Sequence, residues 1–158
     1  MKNLIFIIGI FILFLNTVSA QDIKEVDGIY YQNGQLYTGE YTSRFDNGMV
    51  KMTAKIADGK KEGIVQIYFD NGQLNEIRSY KNNLMDGTWE MYNIYKVKVS
   101  VANYKDGLKH GQWLIYDDKG TLLYDMEYTN GQKSGTWKKF DSSGKLVSER
   151  KYWFRNKM

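Results

Sequence analysis

Apolar and polar residues alternate along much of the chain, and short turn signals interrupt this alternation at regular intervals. Residues 63–69 alternate and are rich in β-branched and aromatic types, Asp70-Asn71-Gly72 follows, and residues 74–80 resume the pattern. Alternation with period two is typical of strands. Asn-Gly is the strongest short hairpin signal, because a type I′ turn needs positive φ at two successive residues. The pattern predicts a β-hairpin, and no segment after residue 22 shows helical periodicity.

Within the returning strand, period two places four residues on one face: Leu74, Glu76, Arg78 and Tyr80. A single hairpin is marginally stable in water. Stability therefore has to come from neighbouring hairpins that share an apolar face.

The hairpin pattern recurs every 24 residues, and five glycines mark its phase: Gly39, Gly63, Gly87, Gly111 and Gly135. Two residues after each glycine comes Tyr41, Val65, Trp89, Trp113 or Trp137, and 17 residues after it comes Ile56, Tyr80, Tyr104, Tyr128 or Tyr152. Equivalent residues of stacked hairpins lie side by side. We therefore expect a structural ladder that forms the core of the repeat: Tyr80, Trp89, Tyr104, Trp113, Tyr128, Trp137 and Tyr152.

The repeat resembles the MORN repeat, in the variant form common in bacterial proteins labelled YwqK-type antitoxins. The best-matching segments are residues 104–113 with 116–122, and 128–137 with 140–146. The resemblance implies an all-β fold in which antiparallel hairpins form one elongated, solenoid-like sheet. It also implies a scaffold that binds proteins or lipid head groups. The YwqK label implies an antitoxin that neutralises a toxin partner.

Four segments are expected along the chain. Residues 1–20 form a secretory signal peptide, 21–38 an N-terminal capping segment with a degenerate hairpin, 39–152 five repeats, and 153–158 a basic and aromatic tail. Ten strands at about 4.8 Å spacing would make a sheet roughly 45–50 Å long.

The signal peptide is predicted from its three parts. Lys2 is followed by an apolar run over residues 4–15 and by the small residues Ser19 and Ala20, so cleavage is expected between Ala20 and Gln21. The run is shorter than the about 20 residues that span a membrane. We therefore expect an exported protein, in the periplasm, the cell envelope or the medium.

Composition narrows the chemistry. The chain has no Cys and one His, which excludes disulfides, cysteine nucleophiles and two-His metal sites. We expect no enzymatic activity, no cofactor and no metal. The net charge is +4, or +3 once Lys2 is removed, and charges of both signs are interspersed. A nucleic-acid partner is not expected, because such proteins usually carry a clustered basic stripe.

Several residues have both a functional and a structural interpretation. The aromatic ladder could be a platform for a carbohydrate, peptide or lipid, but its fixed phase favours a role in the core. His110 could be a general base, but no nucleophile accompanies it, and an exposed loop position is favoured. Four carboxylates recur at hairpin turns, where local hydrogen bonding explains them better than catalysis or Ca²⁺ binding: Asp70, Asp117, Asp118 and Asp141.

The third repeat departs from the others, because its turn lacks the expected glycine. We interpret four of its residues as the candidate contact with a partner: Asn93, Tyr95, Lys96 and Lys98. The alternative is neutral drift of one turn. At the end of the chain, residues 150–157 mix basic and aromatic side chains. They could make a weak contact with an anionic membrane surface, or Trp153 and Phe154 could cap the open end of the sheet.

Together these features predict an exported, non-enzymatic repeat scaffold that binds a protein or a cell-envelope component. One alternative is a YwqK-type antitoxin. The other is a lipid or glycan binder at the envelope surface.

Overall fold

The computed structural model describes residues 22–153, and within this range the chain forms strands and turns without a helix. The predicted signal peptide, Phe154 and the rest of the tail lie outside the described residues. Three short strands near the N terminus pair into a small sheet, which we call the N-terminal meander: β1 (Ile23–Val26), β2 (Ile29–Gln32) and β3 (Gln35–Leu36). Twelve further strands form the main sheet: β4 (Gly39–Arg44), β5 (Val50–Ala57), β6 (Lys60–Tyr68), β7 (Leu74–Lys81), β8 (Leu84–Met85), β9 (Gly87–Tyr92), β10 (Lys98–Lys105), β11 (Leu108–Lys109), β12 (Gly111–Tyr116), β13 (Leu122–Thr129), β14 (Gln132–Phe140) and β15 (Leu146–Tyr152).

The main sheet is an open antiparallel meander. Ten strands pair in the order β4-β5-β6-β7-β9-β10-β12-β13-β14-β15, while the two-residue strands β8 and β11 pair with β7 and β10. This confirms the predicted all-β fold of antiparallel hairpins. The prediction of a single sheet needs one correction, because residues 23–36 pair among themselves rather than joining the edge at β4.

Two kinds of turn connect the strands, and the sequence interpretation assigned the type I′ signature to the wrong one. At Asp70-Asn71-Gly72 only Gly72 has positive φ, at 81°, so this is not a type I′ turn. Positive φ at two successive residues occurs at the links between repeats, for example 50° and 81° at Asn130 and Gly131. The links are therefore the tight two-residue turns, and the Asn-Gly loops are wider.

A β-bulge accompanies each wide turn and changes which residues share a face. Glu76 pairs with Ile67, but Leu74 pairs with Tyr68, with a register shift between the two pairs. Since Ile67 and Tyr68 are consecutive, they point to opposite faces. The extra bulged residue therefore puts Leu74 on the face opposite Glu76, Arg78 and Tyr80. The expectation that Leu74 lies beside those three is wrong for this reason.

The fully buried core lies at the N-terminal end of the sheet. It consists of Tyr30, Ala54, Ile56 and Val65, each no more than 2% exposed. Tyr30 comes from the N-terminal meander and packs its ring edge-on against Tyr41, with centroids 4.8 Å apart. The meander thus covers the first two repeats and leaves the later ones without a second layer from the described residues.

Backbone and side-chain hydrogen bonds hold the N-terminal meander in place. The Tyr30 amide donates to the Gly59 carbonyl over 2.8 Å, and Asn83 Nδ2 donates to the Gly28 carbonyl over 2.9 Å. Both contacts reach links between repeats. The meander is therefore docked on the turns of the main sheet as well as on its apolar face.

Candidate binding face

One face of the main sheet carries all seven residues of the predicted ladder, and we call it the ladder face. The rings form one unbroken row in which each ring contacts the next. Centroids are 4.9–5.5 Å apart and ring planes are inclined by 49–63°. Such tilted pairs suit the quadrupole of aromatic rings. The row is produced by the repeat itself, because residues in equivalent phase lie on neighbouring strands.

Each tryptophan of the row also donates a hydrogen bond to the backbone. Nε1 of Trp89, Trp113 and Trp137 donates to the carbonyl of the residue ten positions earlier, over 2.9–3.0 Å. The acceptors are the carbonyls of Ser79, Asn103 and Glu127. A tryptophan at this phase therefore packs its ring in the row and satisfies a carbonyl of the preceding repeat, a role that Val65 in the second repeat cannot fill.

The ladder is half-buried, and this changes its interpretation. We expected its residues to be the core, but none of the seven is among the fully buried residues. Partial burial still affects the hydroxyl groups, because desolvation raises the pKa of Tyr104 and of Tyr128. The row stabilises neighbouring repeats and is at the same time part of the surface.

Basic side chains lie over the rings at a recurring position, two residues before the phased glycine. Lys109 Nζ is 4.2 Å from the ring centroid of Trp113 and 4.9 Å from that of Tyr128. Lys133 repeats the arrangement over Trp137 at 4.4 Å and Tyr152 at 5.3 Å. Lys61 occupies the same position near the N-terminal end, 5.8 Å from the Tyr80 ring. These are cation–π distances.

Strand register concentrates positive charge on the ladder face. Six basic residues pair across strands with ladder-face residues: Lys61, Arg78, Lys109, Lys133, Lys139 and Arg150. Among the described strands of the main sheet, the only acidic residue on this face is Glu76, which accepts a 2.7 Å hydrogen bond from Arg78 Nε. Glu25 of the N-terminal meander lies near Tyr30 and Tyr41 at the covered end of the face. This basic stripe is not apparent in the linear sequence, because period-two alternation spreads its members along the chain. Assigning charges to faces by parity within each repeat would have found it.

The third-repeat residues do not form one site. Lys96 adopts φ of 63° in the place where other repeats have glycine, so the turn keeps the common geometry. Asn93 is engaged structurally, since its Oδ1 accepts from the amides of Tyr95 and Val97 and its Nδ2 donates to the Asp118 carbonyl. Tyr95 projects outward and is 80% exposed.

Lys98 lies on the opposite face, in a small polar cluster. Its Nζ contacts Glu90 Oε1 at 2.5 Å, and the Tyr92 hydroxyl donates to Glu90 Oε2. Hydrogen bonds from Lys98 and Tyr92 lower the pKa of Glu90, and the bond to Glu90 raises the pKa of Lys98. Lys98 is therefore already paired with a carboxylate of the protein itself, Glu90.

The remaining candidates have local roles. Asp117 and Asp141 each accept two backbone amide hydrogen bonds within their own turn. Backbone amides lower the pKa of Asp117, while the pKa of Asp141 is lowered first by the Ser143 hydroxyl and then by backbone amides. His110 is half-buried rather than exposed, and its Nδ1 has no hydrogen-bond partner among the described residues. Trp153 does not cap the sheet, since it is 74% exposed beneath Lys151.

Three segments of the chain match the MORN repeat variant family, over residues 61–82, 109–130 and 133–153. These are the repeats that carry the basic residue before the phased glycine. No curated protein was found to match the chain. Residues 22–153 contain no helix long and apolar enough to cross a membrane. They also contain no group of three or more His, Cys, Asp or Glu side chains suited to holding a metal ion.

Proposed function

We propose that this protein is an exported, non-enzymatic scaffold that binds a protein or cell-envelope partner through its ladder face. MORN-type repeats support a binding or scaffold role in general. The single observation that carries the more specific proposal is the ladder face itself. It is a continuous half-buried row of seven rings with six basic side chains and one acidic one, and in the later repeats no other described strand covers it.

A surface of this kind suits binding rather than catalysis. Aromatic residues together with arginine are enriched at protein interfaces, and a concentration of one charge sign steers an oppositely charged partner. This face replaces the third-repeat turn as our first candidate for the partner contact. Of the turn residues, Tyr95 is the most exposed, and it serves as a comparison in the test.

The test is affinity capture of partners from the cells that make the protein. We expect the wild type to capture a partner and the double variant Lys109→Gln/Lys133→Gln to lose it. The matched control is Lys55→Gln/Lys138→Gln, which removes the same charge from the opposite face and should capture normally. Failure of the wild type to capture anything would overturn the proposal. Loss of capture in Tyr95→Ala alone would move the contact to the third-repeat turn.

The basic stripe also supports the lipid or glycan alternative, since both ligands can be anionic. Pull-downs with anionic vesicles and with acidic polysaccharides distinguish these from a protein partner. An antitoxin role is a special case of protein binding, and co-purification of a toxin would support it.

A further inference from the structure

We propose that the ladder face binds an extended acidic segment of a partner protein, in which carboxylates recur at every third residue. This inference rests on the proposed function, because it takes the ladder face to be the binding face. It adds the chemical class and the spacing of what binds there.

The lysines of the ladder face carry charge that no carboxylate of the described chain compensates. Only two ion pairs occur among the described residues, Arg78 with Glu76 and Lys98 with Glu90. The ammonium groups of Lys61, Lys109 and Lys133 face aromatic rings instead of carboxylates. A row of cations with no anion of its own is complementary to a ligand that brings carboxylates.

The spacing of the lysines matches the rise of an extended peptide. Lys109 precedes β12 and Lys133 lies in β14, two strands further along the sheet, so equivalent lysines are separated by two strand spacings, about 9.6 Å. Three residues of a polyproline II segment advance about 9.3 Å, and three residues of an extended strand about 9.9 Å. Lys61 lies two repeats before Lys109, and Met85 holds the position between them. The N-terminal meander covers the Lys61 end of the face, where Lys61 Nζ lies 5.4 Å from the Tyr30 ring. On the open part of the face, carboxylates three residues apart therefore meet Lys109 and Lys133.

The rings of the ladder are already engaged by groups of the protein itself. Lysine ammonium groups already lie 4.2 and 4.4 Å from the ring centroids of Trp113 and Trp137. The indole N–H groups are committed to backbone carbonyls. Stacking of sugars or nucleobases would need free ring faces, whereas carboxylates need only reach the ammonium groups. The ring edges between the lysines can pack against the residues between the carboxylates.

The experiment measures binding of two peptides to the protein purified after export. The first contains four Glu-Pro-Pro triplets, which adopt polyproline II with every glutamate on one side. The control has the same composition, with the glutamates in two adjacent pairs separated by prolines. At low ionic strength we expect the first peptide to bind about tenfold more tightly than the control, because a few exposed ion pairs together contribute that much. Added salt should remove the difference, because it screens exposed charges.

Protein variants locate the contact. Lys109→Gln/Lys133→Gln should abolish the preference for the triplet peptide, while Lys55→Gln/Lys138→Gln should retain it. Equal affinity for the two peptides would overturn the proposal, as would tighter binding of an acidic polysaccharide, a single-stranded DNA or an anionic vesicle at matched charge. If partner capture depends on the ladder face but the peptides do not differ, the inference fails and the proposed function stands. If capture is also absent, both fail.

Discussion

At the scale of single residues, the tryptophans of the ladder combine two interactions that a sequence pattern cannot separate. Trp113 contacts Tyr104 and Tyr128 through its ring and the Asn103 carbonyl through Nε1. Asn103 also accepts from the His110 amide over 2.9 Å. Removing only the indole N–H would therefore leave that carbonyl with one donor, and removing the whole ring would break the row.

We predict a graded loss of stability for Trp113→Phe, Trp113→Ala and Tyr30→Ala. The first should cost about 0.5–1.5 kcal/mol, the usual value of one hydrogen bond. The second should cost about 2–3 kcal/mol, since the ring is only half-buried, and the third about 3–5 kcal/mol, since Tyr30 is 0% exposed. Urea unfolding measures all three. The control Lys55→Ala, at an exposed position on the opposite face, should change stability by no more than about 0.5 kcal/mol. A neutral Trp113→Ala would contradict the role of the row.

Lys96 is the residue at which the third repeat departs from the common turn. Its φ of 63° lies in the left-handed region, which glycine adopts without strain. We predict that Lys96→Gly stabilises the protein by about 0.5–1 kcal/mol in urea unfolding. Gly144→Ala makes the opposite change at the equivalent turn position, where φ is 80°. An added Cβ at Gly144 would meet nothing closer than 3.9 Å, so the variant tests backbone strain alone. It should destabilise by about 1 kcal/mol. Destabilisation by Lys96→Gly would mean that the lysine side chain stabilises the turn.

The Glu90 cluster predicts a small pH dependence. The pKa of Glu90 is lowered in the folded protein, so its stabilising effect is complete above the unfolded pKa of about 4.3 and is lost as the pH falls through the folded value. Because the pair is partly exposed, the effect should not exceed about 1 kcal/mol. The urea midpoints of wild type and Glu90→Gln should differ at pH 7 and converge as the pH falls below the lowered pKa of Glu90 in the folded protein. A constant difference would show that Glu90 acts through packing. Asp117 and Asp141 titrate equally in both proteins and cancel.

At the scale of elements, the unit of the fold is a pair of strands with a wide turn at one end and a tight link at the other. Each wide turn carries a bulge, and each link between repeats has two successive residues with positive φ. The contacts of one unit with the next are the ladder, the indole hydrogen bonds and the strand pairing. Stability should therefore be a sum over units and their interfaces.

Deletion of residues 87–110 tests this additivity. It removes β9 to β11 and joins Asp86 to Gly111, so Trp113 should take the place of Trp89 beside Tyr80 and donate to the Ser79 carbonyl. We expect a folded, shorter sheet by circular dichroism. Deletion of residues 87–98 joins unlike strands, reverses which side chains face the ladder, and should cause aggregation. If both deletions unfold equally, the units are not modular.

At the scale of the whole molecule, the main feature is an open single-layer sheet with unequal faces. One face concentrates basic residues and aromatic rings, while the opposite face mixes pairs such as Lys98 with Glu90. The N-terminal meander closes one end of the ladder face. At that end Tyr30, Ile56 and Val65 are each no more than 1% exposed, and no other hydrophobic residue in the described part of the chain is buried to that extent. The later repeats rely on contacts along the sheet.

Export remains a prediction from the first twenty residues, which lie outside the described part of the chain. We expect the exported protein to begin at Gln21, because Ser19 and Ala20 follow the apolar run. Intact-mass analysis of protein secreted by a bacterial host measures this directly. Recovery of a membrane-bound form that retains Met1 would contradict it.

The sequence by itself determined the repeat and the fold class. A period of 24 residues and strict alternation leave antiparallel hairpins as the consistent solution, and both are local properties of the chain. The identity of the ladder residues followed as well, because equivalent phases must lie side by side in stacked hairpins. Turn types were less accessible, since Asn-Gly occurs in both tight and wide turns and only the backbone register distinguishes them.

The tertiary structure decided which residues are buried and which side chains share a face. Bulges shift parity within a strand, which put Leu74 on the opposite face from Tyr80. Burial depends on whether a second layer is present, and the only such layer among the described residues is the N-terminal meander, which lies over the first repeats. The basic stripe exists because register brings together lysines that are 24 residues apart, such as Lys109 and Lys133. A charge pattern of that kind depends on strand pairing, so the order of charges along the chain shows it only when residues are assigned to faces by parity within each repeat.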